Sequence, residues 1–288
     1  MLALAAAACP AATPPPASQP QRTPGSRESV QPFRVIAHRG ASAYAPENTR
    51  PAFQRALELG VRHVELDIGI SADGALVLFH DSTLDAKTDL SGPLASHDLA
   101  TLQDADIGSW FDRTHPGATQ RFAGTPLLSL EDLFSDFGRH FYYHVEIKGR
   151  EPSIPTRLLE AIRSANLEDS VTVTSFRREQ LERMHLLDPE LPLTWLLDRE
   201  TRMLAPGQSS LELRDREIEA AEAAGFSGVA IRAAELSPEM VVVAHERGLR
   251  LRAWGIRDDA DVARVLAAGA DGMTVDWPDR VPDGLQER

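Results

Sequence analysis

Thiols are nearly missing from this chain: Cys9 is the only cysteine in 288 residues. Beyond it the chain offers no disulfide and no thiolate ligand, and it suits an oxidising or a reducing compartment alike. Basic residues are also in deficit. Lys and Arg total 30 against 43 Asp and Glu, for a net charge of −13. A broad nucleic-acid-binding surface needs a basic footprint, so that class is set aside. An acidic chain that handles phosphate must do so through a local cluster of cations and metal. No apolar run reaches the roughly 18 residues of a membrane-spanning helix. The N-terminal apolar run also lacks a Lys or Arg before it.

That run, Met1 to Ala8, ends in small residues directly before Cys9. It reads as the apolar core and cleavage zone of an export signal. Small residues followed by a lone Cys resemble the lipobox of bacterial lipoproteins, with Ala6 where Leu is usual. The expectation is export to the periplasm or cell envelope, with possible membrane attachment through lipidated Cys9. Seven prolines follow between Pro10 and Pro32, with Ser, Gln and Thr between them. This is an extended linker rather than part of a core. Residues 1–32 are therefore read as signal and linker, and 33–288 as the folded domain.

From Phe33 short β-type runs alternate with amphipathic helical runs, which argues for a parallel sheet. Strands are expected at 34–38, 61–68, 141–148, 171–176, 193–197, 228–231, 249–256 and 272–275. The helices between them include one from Thr49-Arg50-Pro51 to Leu59, with Thr49 as its N-cap and Gly60 as its stop. Eight such units make an α/β fold of the (β/α)8 TIM-barrel type, which commonly uses about 250 residues. Residues 82–130 break the alternation. They are expected as a small insertion at the barrel mouth, with 130–137 the second barrel helix. No internal repeat is present beyond the β/α alternation.

The stretch 61–81 carries the first chemistry. Glu65 and Asp67 are two apart, so on a strand they point the same way. Two carboxylates in an apolar run repel unless a cation lies between them, and oxygen ligands suit Ca²⁺ or Mg²⁺. Asp73-Gly74 between apolar runs signals a hairpin extending this strand. Folding back there sets Ser71 against Ala75, Phe79 against Asp67 and His80 against Leu66. His80 thus returns to the level of the carboxylates.

Catalytic groups of such barrels gather at the C-terminal strand ends. Those ends read His38-Arg39-Gly40, Glu65/Asp67, Glu146/Lys148, Ser175-Phe176, Trp254 and Asp276. Glu146 adds a third carboxylate. Arg39 and Lys148 supply cations for an anion. His38 and His80 are candidates for general acid and base. His63 and His144, each two residues before a carboxylate, point into the barrel one layer lower and read as hydrogen-bonded interior histidines. His97, His115, His140, His185 and His245 read as surface groups, and Arg177-Arg178 as a solvated helix start. Asp276 is either an electrostatic group of the mouth or a local cap. Arg257 is either a cation near the leaving group or, with Asp258, a helix cap.

Taken in order, His38-Arg39-Gly40, Pro46-Glu47-Asn48-Thr49, Glu65-Leu66-Asp67, Asp73-Gly74 with His80-Asp81, Glu146-Ile147-Lys148, Ser175-Phe176 and Gly269-Ala270-Asp271-Gly272 with Asp276-Trp277-Pro278-Asp279 resemble the glycerophosphodiester phosphodiesterase family. The resemblance covers residues 35–280. It implies metal-dependent hydrolysis of glycerophosphodiesters to sn-glycerol 3-phosphate and an alcohol. It implies one divalent cation, Ca²⁺ or Mg²⁺, on Glu65, Asp67 and Glu146. Glu47 would be a further ligand or a partner of Arg39. His38 and His80 would be the catalytic pair, the latter a metal ligand in some relatives. Arg39 and Lys148 would hold phosphate, and Phe176 and Trp254 would line the alcohol side. The partner is a small molecule; no protein partner is implied. Departures are Asp85-Ala86-Lys87-Thr88-Asp89 in place of Arg-Thr-Thr, Trp254-Gly255-Ile256-Arg257 in place of Trp-Thr-Val-Asn, and Val275 in place of Thr.

Three alternatives remain. One is a phospholipase D acting on lysophospholipids or sphingolipids, favoured if Leu84, Leu90, Leu94, Leu99, Leu102, Trp110 and Phe111 form an exposed greasy patch. A phospholipase C of the phosphatidylinositol type fits Glu146-Ile147-Lys148 less well. The third is a non-catalytic surface lipoprotein, which predicts loss of a catalytic group; none is lost.

Overall fold

In the computed structural model, residues 32–198 and 210–282 are described. The reading of the N-terminal segment as signal, lipidation site and linker falls, apart from Pro32, outside them.

Among the described residues nine strands form one sheet: β1 (Arg34–Ala37), β2 (His63–Ile70), β3 (Leu76–Leu78), β4 (Tyr142–Ile147), β5 (Val171–Ser175), β6 (Leu193–Leu197), β7 (Gly228–Arg232), β8 (Arg250–Trp254) and β9 (Gly272–Val275). Their order is β1-β9-β8-β7-β6-β5-β4-β2-β3, and β1 also pairs with β2. The parallel β1–β2 pairing, Ile36 against His63 and Ala37 against Val64, closes eight parallel strands into a barrel. Only β3 is antiparallel, the return arm of a hairpin. Helices lie between the strands, giving the expected (β/α)8 barrel. They are α1 (Arg50–Glu58), α4 (Leu130–Phe137), α5 (Ile154–Ser164), α6 (Arg178–Leu187), α7 (Ser210–Ala223), α8 (Pro238–Glu246) and α9 (Asp259–Ala268), with α2 (Leu99–Asp104) and α3 (Gly108–Thr114) in the insertion.

Local chemistry sets these boundaries. Ser129 caps α4 by accepting from the Asp132 amide at 3.1 Å, with Glu131 and Asp132 in the first turn. Asp258 caps α9 through the Asp261 amide at 2.9 Å. Side-chain acceptors there satisfy helix amides that have no backbone partner. Thr49 stands at the N-cap of α1 as expected, but its hydroxyl turns back to the Pro46 carbonyl. Strand faces then sort the core. Outward side chains such as Val64, Leu66 and Ile68 are fully buried against helix residues such as Phe53, Leu133 and Leu158. Inward ones carry the polar residues of the barrel interior.

The insertion builds its own small core. Leu84, Leu94, Leu102, Ile107 and Leu127 pack with Val77 and Phe79 under the hairpin. Phe111 and Phe122 pack on Ala45 and Ala52, ring to ring at 5.4 Å. A Cβ on Gly108 would stand 1.6 Å from the Phe122 carbonyl oxygen, so these segments meet only because residue 108 has no side chain. The apolar residues of this segment are thus mostly internal: Leu84 and Leu102 have no exposed surface, and Phe111 has 1%. They form no greasy face of the kind that would favour a lipid substrate.

Candidate active site

The carboxylates come from two neighbouring strands. Parallel pairing sets Asp67 of β2 against Glu146 of β4 and Glu65 against His144. Glu65, Asp67 and Glu146 are all buried, and one oxygen from each lies within 4.8 Å of the others. The cations come from the same level. Lys148 Nζ lies 2.7 Å from Glu146 Oε1 and 3.2 Å from Asp67 Oδ1. Arg39 Nε lies 3.0 Å from Asp67 Oδ2, and the Arg39 amide donates to Glu65 Oε2 at 3.0 Å.

A sharp turn after β1 makes this possible. Arg39 has φ 52° and Gly40 φ 80°. A Cβ at Gly40 would come within 2.7 Å of the Ala52 backbone, so glycine is required there. Asn48, also left-handed at φ 58°, donates to Asp67 Oδ2 at 2.9 Å and accepts from the Asp67 amide at 3.1 Å. Non-glycine residues in this region concentrate where function holds them.

Charge balance explains the protonation preferences. Burial pushes Glu146 up to about 7, opposed by Lys148 and reinforced by Asp67 and Glu65. Burial and the Asp67 charge also raise Glu65. For Asp67 burial is outweighed by Lys148 and Arg39, which hold it below the ordinary carboxylate range. Lys148 rises to about 12, because Asp67 and Glu146 outweigh its desolvation. Asp67 Oδ1 has an ion pair with Lys148 but no hydrogen bond, and one oxygen of each carboxylate lies within 4.8 Å of the others. An oxygen-only donor set of this kind fits a hard divalent cation.

Two histidines flank the cluster. His38 Nδ1 bonds Asp276 Oδ1 at 2.6 Å, an oxygen that also accepts from Ser42 Oγ at 3.0 Å. Its Nε2 faces Glu65 Oε2 at 3.9 Å. Asp276 therefore holds His38 as well as Ser42, a contact that neither sequence reading named. Burial and Arg39 push the His38 imidazolium toward deprotonation, but Asp276 and Glu65 prevail and its pKa is raised. His80 Nδ1 bonds Asp81 Oδ1 at 2.7 Å. Burial lowers its pKa, with Arg39 and Lys148 adding to the effect against Asp67. The hairpin register is the expected one: Ser71 pairs with Ala75, and the Phe79 amide donates to the Asp67 carbonyl at 3.1 Å. Strict pleating would leave His80 on the face of Leu66, away from Asp67. The strand ends at Leu78, and His80 instead lines the mouth.

Glu47 has both oxygens engaged, one by Arg39 Nη1 at 2.9 Å and one by Lys87 Nζ at 2.8 Å. It is the partner of Arg39 and lies outside the carboxylate trio. Lys87 also reaches Asp81 Oδ2 at 3.0 Å. Phe176 and Trp254 meet edge to face at 5.3 Å and line a cavity of about 310 Å³ with His38, Arg39, His80 and Lys148.

One layer down, His63 Nδ1 and His144 Nε2 are 3.2 Å apart, both buried. Burial and Arg252 push His144 well down, so it is neutral. Arg252 itself is buried and donates to Thr274 Oγ1 at 2.6 Å. Burial lowers it to about 10, while Glu65 and Glu146 favour its charge. Arg257 is exposed and braces Asp261 at 2.9 Å, away from the cavity. Arg177 is not simply solvated: its Nε donates to the Lys148 carbonyl at 3.1 Å. His185 is half-buried beneath Gly225 rather than a free surface group.

Asn48, Lys87, Arg232 and Arg252 were not singled out by the sequence. Arg252 shares a strand face with Trp254 two residues on, a period-2 signal that was available. Arg232 lies one residue past the expected strand end.

A parallel barrel with buried carboxylates, cations and held imidazoles at its carboxyl-end mouth is the arrangement of a (β/α)8 enzyme whose site suits an anionic ligand and a divalent cation. The comparisons narrow the class. The model of the Glycerophosphoryl diester phosphodiesterase family matches residues 38–280, and the chain belongs to that family. It is 31% identical over 261 residues to the glycerophosphodiester phosphodiesterase of Bacillus subtilis (strain 168), covering 87% of this chain and 86% of that one. It is 31% identical over 249 residues to the enzyme of that name from Caldanaerobacter subterraneus, covering 85% and 94%. Among solved structures, an Oleispira antarctica phosphodiesterase in complex with the product sn-glycerol-3-phosphate superposes with TM-score 0.74 at 25% identity, covering 87% and 95%.

Proposed function

We propose that this chain hydrolyses glycerophosphodiesters to sn-glycerol 3-phosphate and an alcohol, using His38 and His80 as the acid–base pair. The observation that carries this reading is the placement of the Glu65, Asp67 and Glu146 trio with Arg39 and Lys148 between two imidazoles, each fixed through Nδ1 by an aspartate. Glu65, Asp67 and Glu146 would hold one divalent cation, Ca²⁺ or Mg²⁺, which when bound supplies positive charge to the phosphoryl oxygens. Arg39 and Lys148 would bind the non-bridging oxygens, as a fork and as a point charge.

His80, whose neutral form is favoured by burial, suits the base, and His38, whose protonated form is favoured by Asp276, suits the acid. The attacking oxygen, from water or from the glycerol 2-hydroxyl, would lose its proton to His80 as it bonds to phosphorus. The bond from phosphorus to the leaving oxygen would break, and that oxygen would take the His38 proton. Attack by the 2-hydroxyl would give a cyclic phosphate that water then opens. Trapping that species by phosphorus NMR separates the two routes. Asp276 and Asp81 would keep each Nε2 aimed at the cavity. Phe176 and Trp254 would form the wall against the alcohol.

The direct test is release of glycerol 3-phosphate from a mixture of glycerophosphodiesters by the purified chain. Activity that EDTA removes and one metal restores is expected. A folded, metal-supplied protein that releases none would overturn the reading. The apolar run ending at Cys9 supports export and lipid attachment. Cell fractionation of the wild type beside Cys9→Ala tests it, with loss of membrane association expected for the variant.

A further inference from the structure

The far wall of the cavity carries a cation that the reaction above does not use. Arg232 ends β7 in register with Trp254 at the end of β8. Its guanidinium carbon stands 4.3 Å from the centroid of the Trp254 ring. Its Nη2 lies 3.7 Å from Asp198 Oδ1. Lys148 Nζ stands 5.7 Å from the Phe176 ring. Both aromatic rings of the cavity therefore already face a resident cation. All of these residues line the same space as the two histidines.

A tryptophan face is the best protein site for a quaternary ammonium. On the ring face that Arg232 covers, a choline group would have to displace the guanidinium, and anywhere near it the two cations would repel. A second anionic group would meet the Asp198 carboxylate beside Arg232. An uncharged hydroxyl group suits both neighbours, because it donates to a carboxylate and accepts from a guanidinium. We propose that Arg232, stacked on Trp254 next to Asp198, forms a subsite selecting glycerophosphodiesters whose leaving alcohol is an uncharged polyol. This rests on the hydrolytic reading above.

The test compares kcat/KM of the full chain on glycerophosphoglycerol, glycerophosphoinositol, glycerophosphocholine and glycerophosphoserine, with metal supplied. The polyol esters should exceed the choline ester by about tenfold or more. Arg232→Gln should shrink that ratio by about tenfold, raising choline turnover while polyol turnover falls. Trp254→Phe, which keeps a ring but narrows it, should shrink the ratio less. A choline ester cleaved as well as the polyols, or a serine ester preferred to both, overturns the proposal while leaving the hydrolytic reading standing. So does an unchanged ratio in folded Arg232→Gln. Failure to cleave any of the four esters overturns the hydrolytic reading and this proposal with it.

Discussion

His38 and His80 face one cavity, and each gives its Nδ1 to an aspartate at nearly the same distance, 2.6 and 2.7 Å. What stands behind the two aspartates differs. Asp276 lies 238 positions from His38, just past β9, the barrel neighbour of β1, and Ser42 donates to the same oxygen. The His38 amide also bonds the Val275 carbonyl at 2.9 Å. That flank is made by the barrel itself. Asp81 is the next residue to His80, and its outer oxygen depends on Lys87, an ammonium supplied by the insertion. Lys87 is 5.2 Å from the Trp110 ring and 2.8 Å from Glu47, which in turn holds Arg39. One imidazole is set by the scaffold and the other by an appended segment. The scaffold flank rests on paired barrel strands, and the insertion flank on an irregular segment. One ammonium connects the insertion to both Asp81, the partner of His80, and Glu47, the partner of Arg39.

The strongest way to break the comparison is to remove each ring. His38→Ala and His80→Ala should each lower kcat by about 10²–10⁴. Full activity in both variants would remove the acid–base assignment. The partners should separate the flanks. Lys87→Met leaves Asp81 and Glu47 without their shared cation and should cost about 10–100-fold in kcat, the usual range for a group that orients a functional side chain. Lys87→Arg should recover part of it. A loss in Lys87→Met that appears only in thermal stability, with kcat unchanged, would mean the link is structural.

The pH profile sharpens the same contrast. A base with a lowered pKa stays neutral further into acid, so His80 should set an acid limb below its ordinary value of 6.5. An acid with a raised pKa keeps its proton further into base, so His38 should set an alkaline limb above 6.5. The expected bell in kcat/KM spans neutrality. Removing the Lys87 charge leaves Asp81 more negative, which favours imidazolium, so Lys87→Met should move the acid limb upward and leave the alkaline limb in place. Movement of the alkaline limb instead would exchange the two roles.

The insertion core gives a smaller, stability-only effect. Leu102→Ala empties a fully buried position and should destabilise by about 2–5 kcal/mol in chemical denaturation. If the insertion melts separately, the first transition should carry the whole loss, with His80 function lost alongside it.

How much of this was legible follows from which rule places each residue. Strand ends and period-2 faces put Glu65, Asp67, Glu146 and Lys148 on one mouth, and the Asp73-Gly74 turn set the hairpin register to within about one residue, with the observed pairing at the expected value. Local rules carry that far because a parallel strand's neighbour and face follow from its position. Lys87 is different. Its partners Glu47 and Asp81 are 40 and 6 positions away, and only the fold of an irregular insertion brings the three together. Arg232 was hidden by a boundary drawn at Ile231, one residue short, and such boundaries drift by a residue or two because strand ends fray into the loops that carry function. Arg252 was hidden because an arginine in a barrel interior runs against burial preference.

The smallest effect belongs to Arg257. Its cation pairs with Asp261 on the first turn of α9, and 68% of its side chain is exposed. Asp261 also takes Arg264 at 2.7 Å, so the helix start retains a partner when Arg257 is removed. An exposed ion pair contributes little, and less with salt. Arg257→Ala should therefore leave the thermal midpoint nearly unchanged and kcat/KM within about twofold on every ester. A tenfold loss confined to one leaving group would place Arg257 beside Arg232 in the alcohol subsite, and the wall opposite the histidines would then hold two selecting cations rather than one.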